Sequence, residues 1–423
     1  MKQTPQLPKG TRDFYPTDMR VQNHIFSIWR QAALKFGYEE YEGPTFEHLE
    51  LYTGKSGDEI VAQLYNFTDK GGRALALRPE MTPTLARLVI QRGNELKKPF
   101  KWFSIPRLFR YERSQKGRLR EFFQLNLDII GTDSISAEAD LLVAIATMLF
   151  DFGLNEKDFA IGVSSRRLLA AFLESLEVAE PNSIYPILDK RLKMPAEAFE
   201  KELLNAGLSE EKAKTLNAFM SCASIEELKN FDNLSNAIAE LEELFELLKA
   251  AGVENCVKLD LSVVRGLAYY TGIVFEVFDK AKNMRAIAGG GRYDSLTETL
   301  GGQRATGVGF GMGDVVLADL LAEKNLLSQS RSDLQIFIAS FNNDMKILFK
   351  TATELRKKGI SCSHSLNAVK FSKQLELANA ANAKCVIFAD GKESKNGTWE
   401  YKILATGEQG VESLENILRR TKI

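Results

Sequence analysis

The sequence changes its pattern at a polar, serine-containing segment, residues 326–333. After this segment, apolar stretches alternate with stretches of helical periodicity, and we predict strands at 334–340, 360–363 and 385–389 and helices at 345–358 and 371–382. Elements that alternate at this spacing favour a small, mostly parallel sheet with helices on both faces. Because 423 residues suffice for about two or three domains, we expect one domain over 1–325 and another over 331–423.

The composition excludes several classes of protein. Apolar residues make up 44% of the chain and charged residues 26%, which is typical of a globular protein and excludes a disordered one. The longest apolar run, 141–150, is too short for the roughly 20 residues of a membrane span. The N-terminus lacks the apolar stretch of a secretory signal. Four scattered cysteines and three isolated histidines fit neither a disulfide framework nor a metal motif, so we expect a cytoplasmic protein.

The near-zero net charge of −1 conceals local asymmetry. Residues 107–120 hold six basic side chains and one acidic one, and residues 331–423 hold 15 basic and 10 acidic ones. An anionic partner responds to local potential rather than to net charge, so these two regions permit one. Residues 194–255 hold 13 acidic and 5 basic side chains, which is typical of a solvated surface.

The residues before the boundary mix predicted strands and helices. Residues 194–251 are rich in Ala, Leu and Glu and repeat apolar side chains at helical spacing, which predicts a helical insertion. Around it we predict strands at 73–77, 102–112, 121–131, 259–261, 272–278 and 286–290, and helices at 19–36, 81–92 and 141–150. Residues 38–46 contain Pro44 and suggest an extended segment at a sheet edge or an interface.

The basic segment 107–120 is the first candidate for chemistry. Arg110 and Glu112 are two residues apart on the strand predicted over 102–112, which places them on one face. A fixed guanidinium can clamp a phosphate, and a nearby carboxylate can order that clamp or accept a hydrogen bond from a base. Phe122 would stack on an aromatic ring. The alternative is a surface hairpin held by ion pairs.

Two further segments carry polar side chains at predicted junctions. Glu80 and Thr82 would together hold an ammonium group, and the alternative is a helix cap with an ion pair to Arg78. Residues 264–272 combine Arg265 with paired tyrosines, which fits a loop that presents a cation and phenols to a cavity; a structural aromatic pair is the alternative. These segments suggest nucleotide chemistry and a nucleic-acid partner.

A run of glycines, residues 289–291, lets the backbone pass close to a ligand or to another strand. The stretch matches neither the GxGxxG template nor the GxxxxGK[ST] template. The sequence therefore does not support a dinucleotide-binding fold or a P-loop.

These segments, in this order, resemble the histidyl-tRNA synthetases, which are class II aminoacyl-tRNA synthetases. The resemblance spans nearly the whole chain and is carried by 9–13 (the N-terminal signature), 36–46 (motif 1), 109–124 (motif 2), 265–272 and 290–294 (the two histidyl peptides), 307–313 (motif 3) and the residues after 333 (an anticodon-binding domain). It implies an α+β catalytic domain over 1–325, with an antiparallel sheet flanked by helices and a helical insertion at about 165–255. It also implies an α/β anticodon-binding domain over 331–423 and a homodimer formed through motif 1.

The resemblance also implies a role for individual residues. The histidine-binding residues would be Glu80, Met81, Thr82, Gln124, Asp128, Tyr269 and Tyr270. The ATP-binding residues would be Arg110, Glu112, Phe122 and Arg265, of which Arg110 and Arg265 would approach the α-phosphate and be catalytic. Gln115 and Arg120 would meet the acceptor end of tRNA(His), and Mg²⁺ would arrive with ATP rather than through a protein motif.

The implied reaction joins histidine to tRNA(His) through histidyl-adenylate. The alternative is the regulatory subunit of ATP phosphoribosyltransferase, a non-catalytic histidine sensor that shares the catalytic fold. The C-terminal domain and the retained Arg265 argue against this alternative. Two positions depart from the family pattern: motif 3 lacks its arginine at Asp314-Val315-Val316, and Ala268 stands where aspartate is usual. We expect Arg292 or Arg304 to replace the missing arginine.

Overall fold

The computed structural model describes residues 5–53, 61–93, 95–113, 115–178, 180–191, 194–264, 269–281, 284–327, 334–391 and 397–421. The chain divides into two compact units, residues 1–328 and 329–423. Each unit has hydrophobic clusters of its own. None of the described helices combines the length and the apolarity needed to cross a bilayer.

The first unit contains two sheets. Its described strands are β1 Glu39–Glu40, β2 Phe46–His48, β3 Tyr65–Thr68, β4 Ala74–Leu77, β5 Phe100–Ser104, β6 Arg107–Phe109, β7 Glu121–Ile130, β8 Phe159–Ser165, β9 Val257–Leu259, β10 Ile273–Asp279, β11 Ala288–Arg292 and β12 Gly307–Gly313. The main sheet has the order β1-β5-β7-β12-β11-β10-β8-β9, with β6 also paired to β7. Its inner pairs, from β5 to β8, are antiparallel. A small sheet has the order β2-β4-β3.

The helices of the first unit pack on both faces of the main sheet or form the insertion. Those described are α1 Pro16–Lys35, α2 Glu50–Thr53, α3 Thr82–Arg92, α4 Ser136–Asp151, α5 Arg166–Ser175, α6 Pro181–Asp189, α7 Ala196–Asn205, α8 Glu210–Phe219, α9 Ile225–Leu228, α10 Ser235–Ala250, α11 Leu296–Thr299 and α12 Asp314–Glu323. In α1, Ile25, Trp29 and Ala32 recur at helical spacing and are buried. In the part of the chain that the structure describes, the six helices α5 to α10 separate β8 from β9, and this run is the predicted helical insertion.

Alternation along β7 divides the main sheet into an apolar face and a polar face. Leu125, Leu127 and Ile129 are buried in the main hydrophobic core. Gln124, Asn126 and Asp128 lie between them and face the opposite side, because side chains alternate along a strand. The helices α1 and α4 pack on the first face, and α3 packs on part of the second face, which leaves the rest of the second face available for a site.

The strand predicted over 102–112 is wrong in its second half. β5 ends at Ser104, and β6 begins after Pro106, which has no N–H to donate to a ladder. β6 ends at Phe109, and the N–H of Glu112 then donates to the carbonyl of Arg110 at 2.8 Å. Arg110 and Glu112 are therefore in a loop, and strand alternation does not place them.

The second unit is a five-stranded sheet with helices. It contains β13 Ile336–Ala339, β14 Cys362–His364, β15 Cys385–Phe388, β16 Thr398–Ile403 and β17 Gln409–Ser413, with α13 Met345–Lys357, α14 Phe371–Ala380 and α15 Leu414–Arg420. The prediction of a mostly parallel sheet is wrong. β13 is parallel to β14 and β15, but β15–β16 and β16–β17 are antiparallel. A turn at Gly407, whose φ is +76°, closes the β16–β17 hairpin that the sequence pattern did not reveal.

Candidate active site

Glycines of β11 and β12 form a bare patch on the polar face of the main sheet. Gly289 pairs with Gly311, and Gly291 pairs with Gly309. A Cβ on Gly309 would lie 2.0 Å from Asp128 Oδ1, and a Cβ on Gly311 would lie 2.7 Å from the side-chain amide carbon of Gln124. Side chains at these positions would collide with β7, so the patch leaves open space above the sheet.

A cavity of about 550 Å³ occupies this space, which is within the range of small-molecule sites. Eight of the site residues predicted from the sequence line it: Glu80, Thr82, Arg110, Glu112, Phe122, Gln124, Tyr269 and Tyr270. The structure therefore brings the predicted histidine-binding and ATP-binding side chains to one place.

One end of the cavity is deep and holds paired polar groups. Tyr269 donates its hydroxyl hydrogen to Glu80 Oε2 at 3.2 Å, and Glu80 is 4% exposed. Tyr293, which lines the cavity, donates to Asp128 Oδ1 at 2.5 Å. Burial raises the pKa of Asp128 to about 7, although the hydrogen bond from Tyr293 opposes this shift. This end can accept hydrogen bonds from a cationic or N–H-bearing side chain.

The Arg110 side chain is positioned by two contacts. Its Nε donates to the carbonyl of Pro79 at 2.9 Å, and its guanidinium carbon lies 5.3 Å from the centroid of the Phe122 ring. These contacts hold the cation against an aromatic face, with its terminal nitrogens available to an anion. Glu112 forms an ion pair with Arg118, a cavity residue that the sequence analysis did not single out.

Arg120 stabilises the base of the 110–120 loop. Its Nε donates to the carbonyl of Glu112 at 2.9 Å, its guanidinium covers the Tyr111 ring at 4.1 Å, and its N–H donates to the carbonyl of Gly10 at 2.8 Å. Gln115 is exposed at the tip, where it exchanges backbone hydrogen bonds with Arg118. The exposed tip is therefore the part of this loop that a large partner can reach.

Three of the other predicted positions lie away from the cavity wall or outside the described residues. Met81 is fully buried, and its side chain does not line the cavity. Asp128 does not line the cavity, and its carboxylate lies where a Cβ on Gly309 would point. Arg265, with the neighbouring Ala268, lies outside the described residues.

The ion pair considered between Arg78 and Glu80 does not form. Arg78 Nη1 instead contacts Glu42 Oε1 at 2.5 Å. Met81, at the start of α3, makes no capping hydrogen bond with its side chain. Glu80 lines the cavity.

The sequence analysis missed several cavity residues. Asn126 lies between Gln124 and Asp128 on the same face of β7, so a period of two would have found it. Glu276 on β10 is two residues before Phe278, another cavity residue, so the same period of two would have found it. Asp189 comes from α6 of the insertion, and no local pattern indicates that it reaches the cavity.

The two replacements expected for the motif 3 arginine do not fit. Arg292 is 2% exposed and is held by Glu138 at 2.5 and 2.6 Å and by Asp294 at 3.2 Å. Arg304 is exposed and precedes β12, whereas the motif 3 position follows that strand, about 20 Å away at 3.3–3.4 Å per residue. Neither side chain lines the cavity.

Two family models match the chain. The model described as histidyl-tRNA synthetase matches residues 10–314, and the one described as anticodon binding domain matches residues 335–422. The chain belongs to the histidyl-tRNA synthetase family. This confirms the family and the class II identification made from the sequence motifs.

Relatives agree with membership in the histidyl-tRNA synthetase family, and a solved structure shares the fold. The chloroplastic/mitochondrial histidine–tRNA ligase of Arabidopsis thaliana is 41% identical over 406 residues, which cover 95% of this chain and 84% of the relative. The histidine–tRNA ligase of Leptospira biflexa is 39% identical over 432 residues, covering 100% and 98%. The histidyl-tRNA synthetase of Nostoc has the same fold, with a TM-score of 0.83, 24% identity and coverage of 99% and 100%. The predicted fold class is confirmed.

Proposed function

We propose that this protein is a histidine–tRNA ligase, an aminoacyl-tRNA ligase that activates L-histidine with ATP and then transfers histidine to the 3′ end of tRNA(His). The observation that carries the proposal is one cavity in which the Glu80–Tyr269 pair and the Arg110–Phe122 pair both line the wall. A cationic amino acid and an aromatic nucleotide therefore fit side by side. The curated relatives bear the name of this activity over nearly the full chain.

Histidine would occupy the deep end. Glu80, Thr82 and Gln124 would hold its ammonium group, and Asp128 and Tyr270 would hydrogen-bond the imidazole nitrogens, with Tyr269 beside them. A site that hydrogen-bonds a polar side chain leaves its own buried groups unpaired when an apolar analogue binds, and it therefore rejects that analogue strongly.

Activation needs positioning and charge neutralisation rather than a protein nucleophile. The carboxylate of histidine attacks the α-phosphorus of ATP, an O–P bond forms, and pyrophosphate leaves with the electrons of the bond that breaks. Arg110 would bind the α-phosphate, where negative charge develops, while Phe122 stacks on the adenine and Glu112 contacts the base. Arg265, placed here by the sequence resemblance, would approach the same phosphate.

Mg²⁺ would enter as part of the ATP complex. The described residues contain no group of three side chains arranged to hold a metal ion. Mg²⁺ commonly binds through substrate phosphates, water and one or two carboxylates, and Glu276 and Asp189 are carboxylates in the cavity wall that fit this pattern. When bound, the ion would neutralise part of the phosphate charge.

The second step transfers the histidyl group to a ribose hydroxyl at the 3′ end of the tRNA, and AMP leaves. Gln115, at the exposed loop tip, and Arg120, at the loop base, would contact the acceptor end. The second unit would bind the anticodon. Its surplus of basic over acidic residues favours a polyanionic partner.

A homodimer and a cytoplasmic location belong to the same proposal. β1, within residues 36–46, is an end strand of the main sheet as described, which leaves its other edge open to a partner. Phe46 and Phe67 contact each other and are 51% and 44% exposed, so the small sheet presents an apolar surface nearby. The four cysteines are free thiols, as expected in a reducing compartment.

Histidine-dependent exchange of radiolabelled pyrophosphate into ATP tests the first step, and charging of tRNA(His) tests the second. We expect both activities, with exchange absent when histidine is omitted. Histidine binding without exchange would contradict the proposal and would favour the regulatory-subunit alternative, which the missing motif 3 arginine brings into consideration.

A further inference from the structure

Along β12 the cavity wall runs from Gly309, beside the buried Asp128, to Gly313, and we call these two positions the deep end and the open end. A Cβ on Gly309 would collide with Asp128, whereas a Cβ on Gly313 would meet nothing within 4 Å. Strand residues rise about 3.4 Å each, so the two ends are roughly 14 Å apart along β12. A ligand that extends from the deep end past Arg110 would have its far part at the open end.

The first turn of α12 brings no cationic side chain to the open end. Val315 and Val316 line the cavity there. Asp314, which precedes them, accepts hydrogen bonds from Arg12 Nη2 at 2.6 Å and from the N–H of Phe123 at 3.0 Å and is fully buried. A polyphosphate at this end therefore needs its cation from another element.

Arg285 supplies a guanidinium at this position. It lies on the β10–β11 connection, is exposed and lines the cavity. A Cβ on Gly117 would lie 3.8 Å from the Cδ of Arg285 and 3.3 Å from the Cγ2 of Val316. The Arg285 side chain thus borders the same small space as the first turn of α12 and the 110–120 loop.

Two other arginines line the described cavity wall. Arg110 is held against Phe122 and Pro79, and Arg118 forms an ion pair with the buried Glu112. An exposed guanidinium can form two parallel hydrogen bonds with phosphate oxygens when a ligand arrives. Position and chemistry together favour Arg285 as the contact for the far phosphates.

We propose that Arg285 binds the β- and γ-phosphates of ATP and takes the part of the arginine that motif 3 lacks. The inference rests on the proposed function, because it assumes that ATP occupies this cavity. Arg285 contacts the phosphate tail of ATP, and Arg110 and Phe122 contact its adenosine monophosphate part.

The test compares wild type with Arg285→Ala and Arg285→Lys in histidine-dependent pyrophosphate exchange. Loss of a charge-assisted bidentate contact should lower kcat/KM for ATP about tenfold or more in Arg285→Ala, and less in Arg285→Lys. The KM for histidine and the inhibition constant of AMP should not change. Arg304→Ala is the matched control, because it removes an exposed arginine outside the cavity, and its kinetics should equal those of wild type.

Binding of inorganic pyrophosphate, measured by calorimetry with Mg²⁺ present, tests the inference independently of catalysis. We expect Arg285→Ala to bind pyrophosphate about fivefold or more weakly, in line with one lost charged contact. Equal pyrophosphate binding by wild type and Arg285→Ala, or an equal weakening of AMP and ATP, would overturn the inference. A wild type that binds pyrophosphate but shows no exchange would instead count against the proposed function.

Discussion

Tyr293 donates a hydrogen bond to Asp128 across 2.5 Å, although 165 positions separate the two residues in the sequence. Burial raises the pKa of Asp128 to about 7 and raises the pKa of Tyr293 well above its ordinary value. A carboxyl group at the deep end of the cavity therefore changes its charge near neutral pH. The imidazole of free histidine titrates in the same range.

The raised pKa of Asp128 should make the stability of the protein depend on pH. An unfolded aspartate loses its proton near its ordinary value of 3.8, whereas folded Asp128 keeps the proton up to about pH 7. Between these two pH values the folded state binds one proton more than the unfolded state. The stability that this proton contributes is present below pH 4 and is lost as the pH rises to about 7. Asp128→Asn retains the acceptor oxygen and does not titrate.

We therefore expect the melting temperature of wild type to fall relative to that of Asp128→Asn between about pH 4 and pH 7, and to run parallel above that range. Differential scanning fluorimetry across this range measures the difference. Two curves that stay parallel throughout would show that Asp128 titrates normally in the folded protein.

Replacement of Gly309 tests the bare glycine patch. Gly309→Ala places a methyl group 2.0 Å from Asp128 Oδ1, so the strand or the carboxylate must move. Overpacking of this kind costs about 1–3 kcal/mol of unfolding free energy, and histidine binding should weaken with it. Gly313→Ala is the matched control, because its Cβ would meet nothing within 4 Å, and its melting temperature should be close to that of wild type. Equal melting temperatures for the two variants would contradict the steric explanation.

Arg110→Ala should lower kcat of pyrophosphate exchange about 100-fold or more, as removal of a preorganised donor at a developing charge does. Arg107→Ala removes a nearby arginine that is 46% exposed and ion-paired with Glu121, and such a surface pair contributes about 0–1 kcal/mol. Kinetics of Arg107→Ala should therefore match wild type. If Arg110→Ala retains exchange within a few-fold, the phosphate role of Arg110 is wrong. The resemblance predicts the same loss for Arg265→Ala.

Tyr269→Phe should raise the KM for histidine about fivefold, because the Glu80 carboxylate loses a hydrogen bond worth about 1 kcal/mol. The KM for ATP should stay constant, since the Arg110–Phe122 contacts are untouched. Tyr111→Phe, on a ring that lies under Arg120 outside the cavity, is the control. A parallel rise in both KM values would point to general distortion rather than to a histidine contact.

Local pattern predicted the elements that carry the site better than it predicted their ends. The helix at 81–92 is observed as Thr82–Arg92 and the strand at 121–131 as Glu121–Ile130, because periodicity and flanking turn residues are local signals. The predicted strand 102–112 failed at Pro106 and after Phe109, where the chain leaves the ladder. Arg110 is instead oriented by the Pro79 carbonyl and the Phe122 ring. Such contacts have no signature in the residues beside Arg110.

The sequence by itself determined the family, the helical insertion, the second α/β unit and eight of the side chains that line the cavity, because motif spacing and periodicity are written along the chain. Tertiary structure alone decided that Arg292 is buried with Glu138, that the Asp128 carboxylate lies against Gly309, and that Arg285 borders the space next to Val316. Burial and proximity between distant residues depend on strand order and packing. Burial and proximity determine the charge and the reach of a side chain, and a single sequence does not record either of them.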